Sequence, residues 1–320
     1  MILLWGLPGD EPLDNVAAAL SERGCAVLLL DQRAALDQRI DVEIDGRLRG
    51  TLHSGRSRIE LDDVDALYTR VYDLQQLPAI AAAEPGRRRQ VEELHNTLWA
   101  WADDSDACIV NRPSAMASNG SKPYQAMLIE QHGFSIPETL ITTDADAAAA
   151  FWERHGGIVY KSVSGVRSIV SRMQARDRAR LPDVAWCPTQ FQQWLPGRDY
   201  RVHVIGSRVF AVAIASEADD YRYAGSQGLN VELSACELPD EVKDAAIRLS
   251  AALDLVLAGI DLRRTPDGEW YCFEVNSSPC FTYYENHTGQ PLSAAVADLL
   301  AEATSRGAIH PVRTAHVPAG

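Results

Sequence analysis

The chain has 320 residues, of which 46% are apolar and 23% charged, an ordinary balance for a globular enzyme and enough length for two domains. Its formal net charge of −14 argues against a general nucleic-acid or anionic-membrane binder, since both need basic patches, while leaving room for an anionic ligand in a local basic pocket. Six scattered cysteines form no C-x-x-C pair and predict reduced, mostly buried thiols, and the N-terminus lacks the basic region of a signal peptide. No apolar segment reaches membrane-spanning length, so the cytoplasm is the expected compartment.

MILLWGL, the amphipathic NVAAALSER stopped at Gly24, and CAVLLLD predict a β-α-β start on a parallel sheet. The turn after the first strand lacks G-x-G-x-x-G, so the dinucleotide fingerprint is absent. Residues 41–61 alternate like hairpin strands around Asp45-Gly46, 64–73 predict a strand ending near Arg70, 88–104 a long helix, and 107–115 a strand leaving the sheet. A helix from Lys122 to Gly133, a strand over 134–144 and a helix to Gly156 follow. GIVYKSVSG then reads as a strand entering a Ser/Gly loop, with RSIVSRM as its hairpin partner. Residues 189–216 predict a strand, a connector and a hairpin turning at Gly206. A helix over 240–254, a hairpin turning at Pro266-Asp267-Gly268 and a last helix over 291–304 complete the chain.

The last hairpin carries the most informative chemistry. In CFEVNSS, alternation places Glu274 and Asn276 on one strand face. A two-residue loop at Asp267-Gly268 would put Asp261 opposite Glu274. Two carboxylates and an amide oxygen suit Mg2+, which completes its shell with water and phosphate oxygens; an idle polar face is the competing explanation. Lysine is scarce: of 30 basic residues only Lys122, Lys161 and Lys243 are lysines. Lys161 stands beside a Ser/Gly loop whose backbone N–H groups can cradle phosphate, whereas Lys243 lies in a charged helix face. In FQQWLPGRDYRVHV, a polar strand end and a Pro-Gly connector can frame an adenine, followed by Asp199 for ribose hydroxyls and Arg201 for anionic groups.

Taken in order, Lys122, Lys161, the connector with Asp199 and Arg201, and Asp261 with Glu274-x-Asn276 resemble the ATP-grasp superfamily of carboxylate–amine ligases. The likeness is nearest to the ribosomal-protein glutamate ligase and glutathione synthetase-like branch, at AGIDL, FEVNSSP and ENHTGQPLSAAVADLL. The segment from Asn111 to Asp144 is similar to the entry of graspetide-type peptide ligases. The resemblance covers residues 108–304 well and the first lobe only in outline. It implies an α/β fold with α+β lobes: an N-terminal pre-ATP-grasp parallel α/β domain (1–112), then a two-lobed ATP-grasp module (113–305). Within that module the small lobe spans about 135–195 and the large lobe about 196–305, and a loose tail follows over 306–320.

The same resemblance implies roles. ATP and one or two Mg2+ ions, with Mn2+ as a substitute, are the expected cofactors. Asp261, Glu274 and Asn276 would hold the metal. Lys122, Lys161, Ser162, Ser164 and Gly165 would meet the phosphates, Gln192, Gln193, Trp194 and Leu195 the adenine, and Asp199 the ribose. Arg201, Lys161 and Arg263 would serve catalysis. Arg70, Arg112, Arg167, His203, Tyr221, Arg222, Ser278, Cys280 and Tyr283 are the substrate candidates, with 215–228 as a loop near the site. Two positions depart from the family pattern: Gln193 replaces a usual hinge glutamate and Cys280 a usual glycine. The implied reaction activates a carboxylate as an acyl phosphate and joins it to an amine or hydroxyl of an amino acid or peptide. A phosphotransferase that stops at phosphorylation and a non-catalytic nucleotide- or peptide-binding module are the rivals. No nucleic-acid or membrane partner is expected, and a homodimer is compatible with the resemblance.

Overall fold

The computed structural model describes residues 1–117, 121–162, 170–216, 228 and 230–305. The chain divides into two compact units, Met1–Pro113 together with the chain from Ser293, and Ser114–Leu292.

In the first unit, β1 (Ile2–Gly6), α1 (Glu11–Glu22) and β2 (Val27–Asp31) form the expected β-α-β start. Asp10 caps α1 by accepting from the Leu13 N–H, and Pro12 sits in the first turn, where no N–H is needed. An antiparallel sheet of β3 (Gln38–Ile44), β4 (Leu48–Ser54) and β5 (Ser57–Glu60) carries the Asp45-Gly46 turn and one strand more than a hairpin. Next come β6 (Ala66–Arg70), α2 (Pro78–Ala81), α3 (Pro85–Asp104) and β7 (Cys108–Val110), and α4 (Pro113–Met116) starts at the last residue of this unit and runs into the second. The strand expected over 107–115 stops after three residues, because Pro113 opens a helical turn. The parallel sheet runs β2-β1-β6-β7, and every residue of β1 is buried, as suits a strand covered on both faces. His95 of α3 packs edge-on to Trp5 with ring centroids 4.9 Å apart, and burial pushes its imidazole down to about 4.

The second unit holds α5 (Lys122–Gln131), β8 (Thr139–Thr142), α6 (Ala145–His155), β9 (Ile158–Ser162), β10 (Ser171–Arg172) and β11 (Thr189–Gln193). These strands form an antiparallel sheet in the order β10-β9-β11-β8. Ile158, Tyr160, Phe191 and Leu140 face α6 and a 3-10 segment over Ala175–Trp186 that the sequence pattern does not announce. By alternation Val159, Lys161, Gln190 and Gln192 line the other face.

A five-stranded sheet follows, made of β12 (Arg198–Ile205), β13 (Arg208–Ser216), β14 (Val231–Cys236) and, after α7 (Asp240–Ala252), β15 (Leu257–Arg264) and β16 (Trp270–Asn276). Its order is β14-β13-β12-β15-β16, with Gly206 at the predicted β12–β13 turn. Val202, Val204, Ile260, Leu262, Cys272 and Val275 share one core with Ile129 of α5 and Val242, Ala246 and Leu249 of α7. The short helix α8 (Thr282–Thr288) buries Tyr284 with Val212 and Ile214 on the opposite face. The last helix, α9 (Leu292–Ser305), groups from Ser293 with the first unit, where Arg23 donates to Asp298 at 2.8 Å and to the Ala294 carbonyl. No described helix is long and apolar enough to cross a membrane.

Candidate functional site

Strand pairing builds the site before any side chain is considered. Asp199 lies opposite Arg263, Arg201 opposite Asp261, and His203 opposite Gly259 across β12 and β15. On the far side of β15, Asp261 lies opposite Glu274 and Gly259 opposite Asn276. Their neighbours in sequence fill the core, so these residues share the other face of the sheet.

Arg201 is 6% exposed and held from several directions. Its Nη1 donates to Asp261 Oδ1 at 2.7 Å, its Nε to His203 Nε2 at 3.4 Å, and its guanidinium lies 5.7 Å from the Tyr284 ring centroid. Gly259 makes room for it: a Cβ there would stand 2.2 Å from Arg201 Nη2 and 2.7 Å from the Pro279 Cβ.

Asp261 and Glu274 set two carboxylates side by side, an arrangement that is destabilising unless positive charge offsets it. Arg201 supplies some at Asp261, and Lys122 Nζ lies 4.0 Å from Glu274 Oε2. Asn276 Oδ1 accepts from the Ser278 N–H at 2.9 Å, which fixes the direction of the amide and leaves the oxygen a second lone pair. Hard oxygen donors in so small a number fit Mg2+ bound jointly with phosphate oxygens and water. No cluster of three or more His, Cys, Asp or Glu suited to a metal occurs among the described residues.

The connector after β11 is anchored through its backbone. The Gln193 N–H donates to Glu138 O at 2.9 Å and the Trp194 N–H to Gly157 O at 3.0 Å. Leu195 O accepts from Arg263 Nη1 at 2.8 Å, while Arg263 Nε and Nη2 grip the two Asp199 carboxylate oxygens at 2.6 and 2.8 Å. Gly197 has no alternative, since a Cβ would meet Arg264 O at 2.3 Å. The Arg263 guanidinium is thus engaged by the connector and by Asp199. Gln192 is buried and donates to Thr139 Oγ1 at 3.1 Å. Arg172 stacks its guanidinium 4.0 Å over the Trp194 ring, a contact the sequence does not signal.

Lys161 is 8% exposed and lies opposite Gln190, on the face away from its lobe's core. Ser162 ends β9, whereas Ser164, Gly165, Arg167, Tyr221 and Arg222 fall outside the described residues, as do most of 162–168 and 215–228. His203 does not reach a surface: it is fully buried, burial and the Arg201 charge push its imidazole well below the usual range, and it receives the Arg201 Nε. Arg70 pairs with the buried Asp10 at 2.9 Å, and the Tyr72 hydroxyl donates to the same carboxylate at 2.7 Å. Arg112 donates to the carbonyls of Ala102, Asp103, Ser105 and Ala107 and so caps the end of α3. Ser278 is half-buried, while Cys280 and Tyr283 are exposed. All six cysteines are free, but only Cys272 is buried, where desolvation pushes its thiol up.

Gln125 is a further residue at the site that the sequence motifs do not single out. It is 2% exposed, its Nε2 donates to Val275 O at 2.8 Å, and its Oε1 accepts from the Val275 N–H at 2.9 Å. The available signal was a glutamine four positions before buried Ile129, on the apolar side of α5.

A family model described as a RimK-like ATP-grasp domain matches residues 119–300. The beta-citrylglutamate synthase B of Danio rerio is 26% identical over 204 residues, 60% of this chain and 50% of that protein. The chain spans about half the length of the first curated relatives it matches. Among solved structures, the ATP-grasp ligase PsnB complexed with a phosphomimetic variant of its minimal precursor, Mg and ADP is similar at 25% identity and a TM-score of 0.78, covering 95% of this chain and 98% of that one. A Chryseobacterium gregarium RiPP-associated ATP-grasp ligase, solved with ADP and a leader and core peptide, shares the fold. Its TM-score is 0.80 at 23% identity, over 94% of this chain and 96% of that one.

Proposed function

The chain belongs to the RimK-like ATP-grasp family, and from that premise we propose that it is an ATP- and Mg2+-dependent ligase. It activates a carboxylate as an acyl phosphate and joins it to an amine or hydroxyl of an amino acid or peptide. The observation that carries the proposal is the convergence of Lys122, Arg201, Asp261, Glu274 and Asn276 on one sheet face.

In this account Asp261, Glu274 and Asn276 hold the divalent ion, which when bound neutralises phosphate oxygens. Lys122 and Lys161 bind ATP phosphates as point charges. The Gln192–Leu195 connector takes the adenine and Asp199 the ribose. Arg201, oriented by Asp261 and His203, offsets negative charge on the activated carboxylate, and Arg263 keeps the connector in place. Such chemistry rests on positioning and charge compensation, so no protein nucleophile is needed. Cys280 and Tyr283, beyond the metal strand, face the substrate.

A peptide is the favoured carrier of the carboxylate. What supports it is the likeness to PsnB over nearly the whole of both chains, against a match to about half of the curated synthases. The test is ADP release with ATP and Mg2+, using free glutamate in one arm and Asp- or Glu-bearing peptides with an amine or hydroxyl side chain in the other. ADP release with peptides, accompanied by loss of one water mass from the peptide, is expected. ADP release with a stable phosphorylated product and no bond formed would overturn it.

A further inference from the structure

The strand that carries Glu274 and Asn276 lies at the edge of its sheet, and β15 is the one described strand that pairs with it. An edge strand has backbone groups with no ladder partner, and its position is correspondingly less constrained. Two contacts deal with that edge. The Ser135 backbone bridges it, donating to Trp270 O at 3.2 Å and accepting from the Cys272 N–H at 2.9 Å. Three residues further on, no backbone among the described residues takes over. Instead the Gln125 side chain presents its own amide, giving to Val275 O at 2.8 Å and taking from Val275 N at 2.9 Å. A side-chain amide carries both a donor and an acceptor, so glutamine can imitate one residue of a neighbouring strand. Val275 is the residue between the two metal-ligand candidates, and Gln125 lies one turn along α5 from Lys122, whose Nζ is 4.0 Å from Glu274.

On the ligase reading above, we propose that Gln125 is a positioning residue for the metal strand. Its two hydrogen bonds fix the height and direction of Val275, and therefore of Glu274 and Asn276, relative to the helix that carries Lys122. Gln125 touches neither metal nor nucleotide in this account and acts through Val275. A glutamine only 2% exposed, with both amide atoms engaged on one backbone residue, is costly to replace by an apolar group, because the Val275 N–H and C=O then lose their partners.

The experiment compares wild type, Gln125→Met, Gln125→Glu and Glu274→Gln for Mn2+ binding in the presence of ADP, read from the free-Mn2+ paramagnetic resonance signal. Thermal unfolding is followed in parallel. Met keeps the length and removes both hydrogen bonds; Glu, when ionised, keeps the acceptor and loses the donor. Outer-shell partners of metal ligands are worth about 10–100-fold in metal affinity, so Gln125→Met should bind Mn2+ at least about tenfold more weakly while still unfolding cooperatively. Gln125→Glu should also lose affinity. Folded Gln125 variants that bind Mn2+ within about twofold of wild type would overturn the proposal. Should neither variant fold, hydrogen exchange of wild-type protein decides: a Val275 amide protected like the sheet interior supports the clamp, and one exchanging like an open strand edge refutes it. Failure of wild type itself to bind Mn2+ with ADP, or unchanged binding in Glu274→Gln, would count against the ligase assignment instead.

Discussion

Arg201 and Asp261 meet across one rung of the β12–β15 ladder at 2.7 Å, and in the next pair on the same face, two rungs along, the charges are reversed, Asp199 facing Arg263 at 2.6 Å. Each arginine thus has a carboxylate directly opposite it, and each pair does a different job. One fixes a cation at the candidate reaction centre, while the other ties the connector to the sheet.

Replacing Asp261 by Asn keeps an acceptor for Arg201 but removes the charge. Breaking a fully buried pair costs about 3–5 kcal/mol. The Asp261 side chain is 26% exposed, so a smaller loss, about 1–2 kcal/mol, is expected in urea unfolding. Turnover should fall far more, by at least about 100-fold, because the same oxygens are needed to hold the divalent ion that offsets charge at the phosphates. Equal turnover by the variant would remove Asp261 from the site.

Gly259→Ala tests whether the Arg201 guanidinium must lie against β15. The added methyl would stand 2.2 Å from Nη2, so the guanidinium has to move. A displacement of about 1 Å at a catalytic group can cost about 100-fold, and kcat should fall by roughly 10–100-fold with KM for ATP changed little. A variant with wild-type kcat would mean that the observed Arg201 position is not the working one.

Arg263→Met distinguishes a connector support from a catalytic cation. Losing the bonds to Leu195 O and Asp199 should raise KM for ATP by about tenfold while leaving kcat at saturating ATP within about threefold. A collapse of kcat at saturating ATP would restore Arg263 to the chemistry.

Acid should destabilise the protein through its buried histidines. His95 titrates near 4 when folded and near its ordinary 6.5 when unfolded, so between these values the unfolded chain binds a proton that the folded one refuses. The stability is complete above pH 6.5 and is lost as pH falls towards 4, by about 2 kcal/mol at pH 5 from His95 alone. His203, lowered in the same direction, adds to the loss. Urea unfolding of the wild type and His95→Gln at pH 7.5 and pH 5 checks this. The variant should show a shallower loss, and an identical pH dependence would exclude His95 as a contributor.

The metal strand shows why part of the site was legible and part was not. A two-residue loop at Asp267-Gly268 predicts Asp261 opposite Glu274, and that pairing is found, but by another route. Thr265 and Glu269 close a longer turn, and a β-bulge between Asp261 and Leu262 sets Cys272 rather than Phe273 opposite Leu262, which restores the register. The bulge also sends both Cys272 and Val275 into the core, which simple alternation forbids. Short-range patterns carried Glu274, Asn276, Arg201 and the Gly206 turn because each depends on strand period or turn chemistry. Gln125, the Arg172–Trp194 stack and the roles of Arg112 and Arg263 depend on contacts far apart in the chain, for which no local pattern exists. The helix α8 and strand β14 were missed because their stabilisation comes from packing with Val212 and Ile214, not from strong periodicity.

The central claim is that Glu274, with Asp261 and Asn276, supports formation of an acyl phosphate. Wild type and Glu274→Ala are incubated with ATP, Mg2+, a carboxylate-bearing peptide or amino acid that elicits ADP release, and hydroxylamine, and the products are weighed by mass spectrometry. The account predicts a hydroxamate from wild type and none from Glu274→Ala; hydroxamate formed equally by both would contradict it.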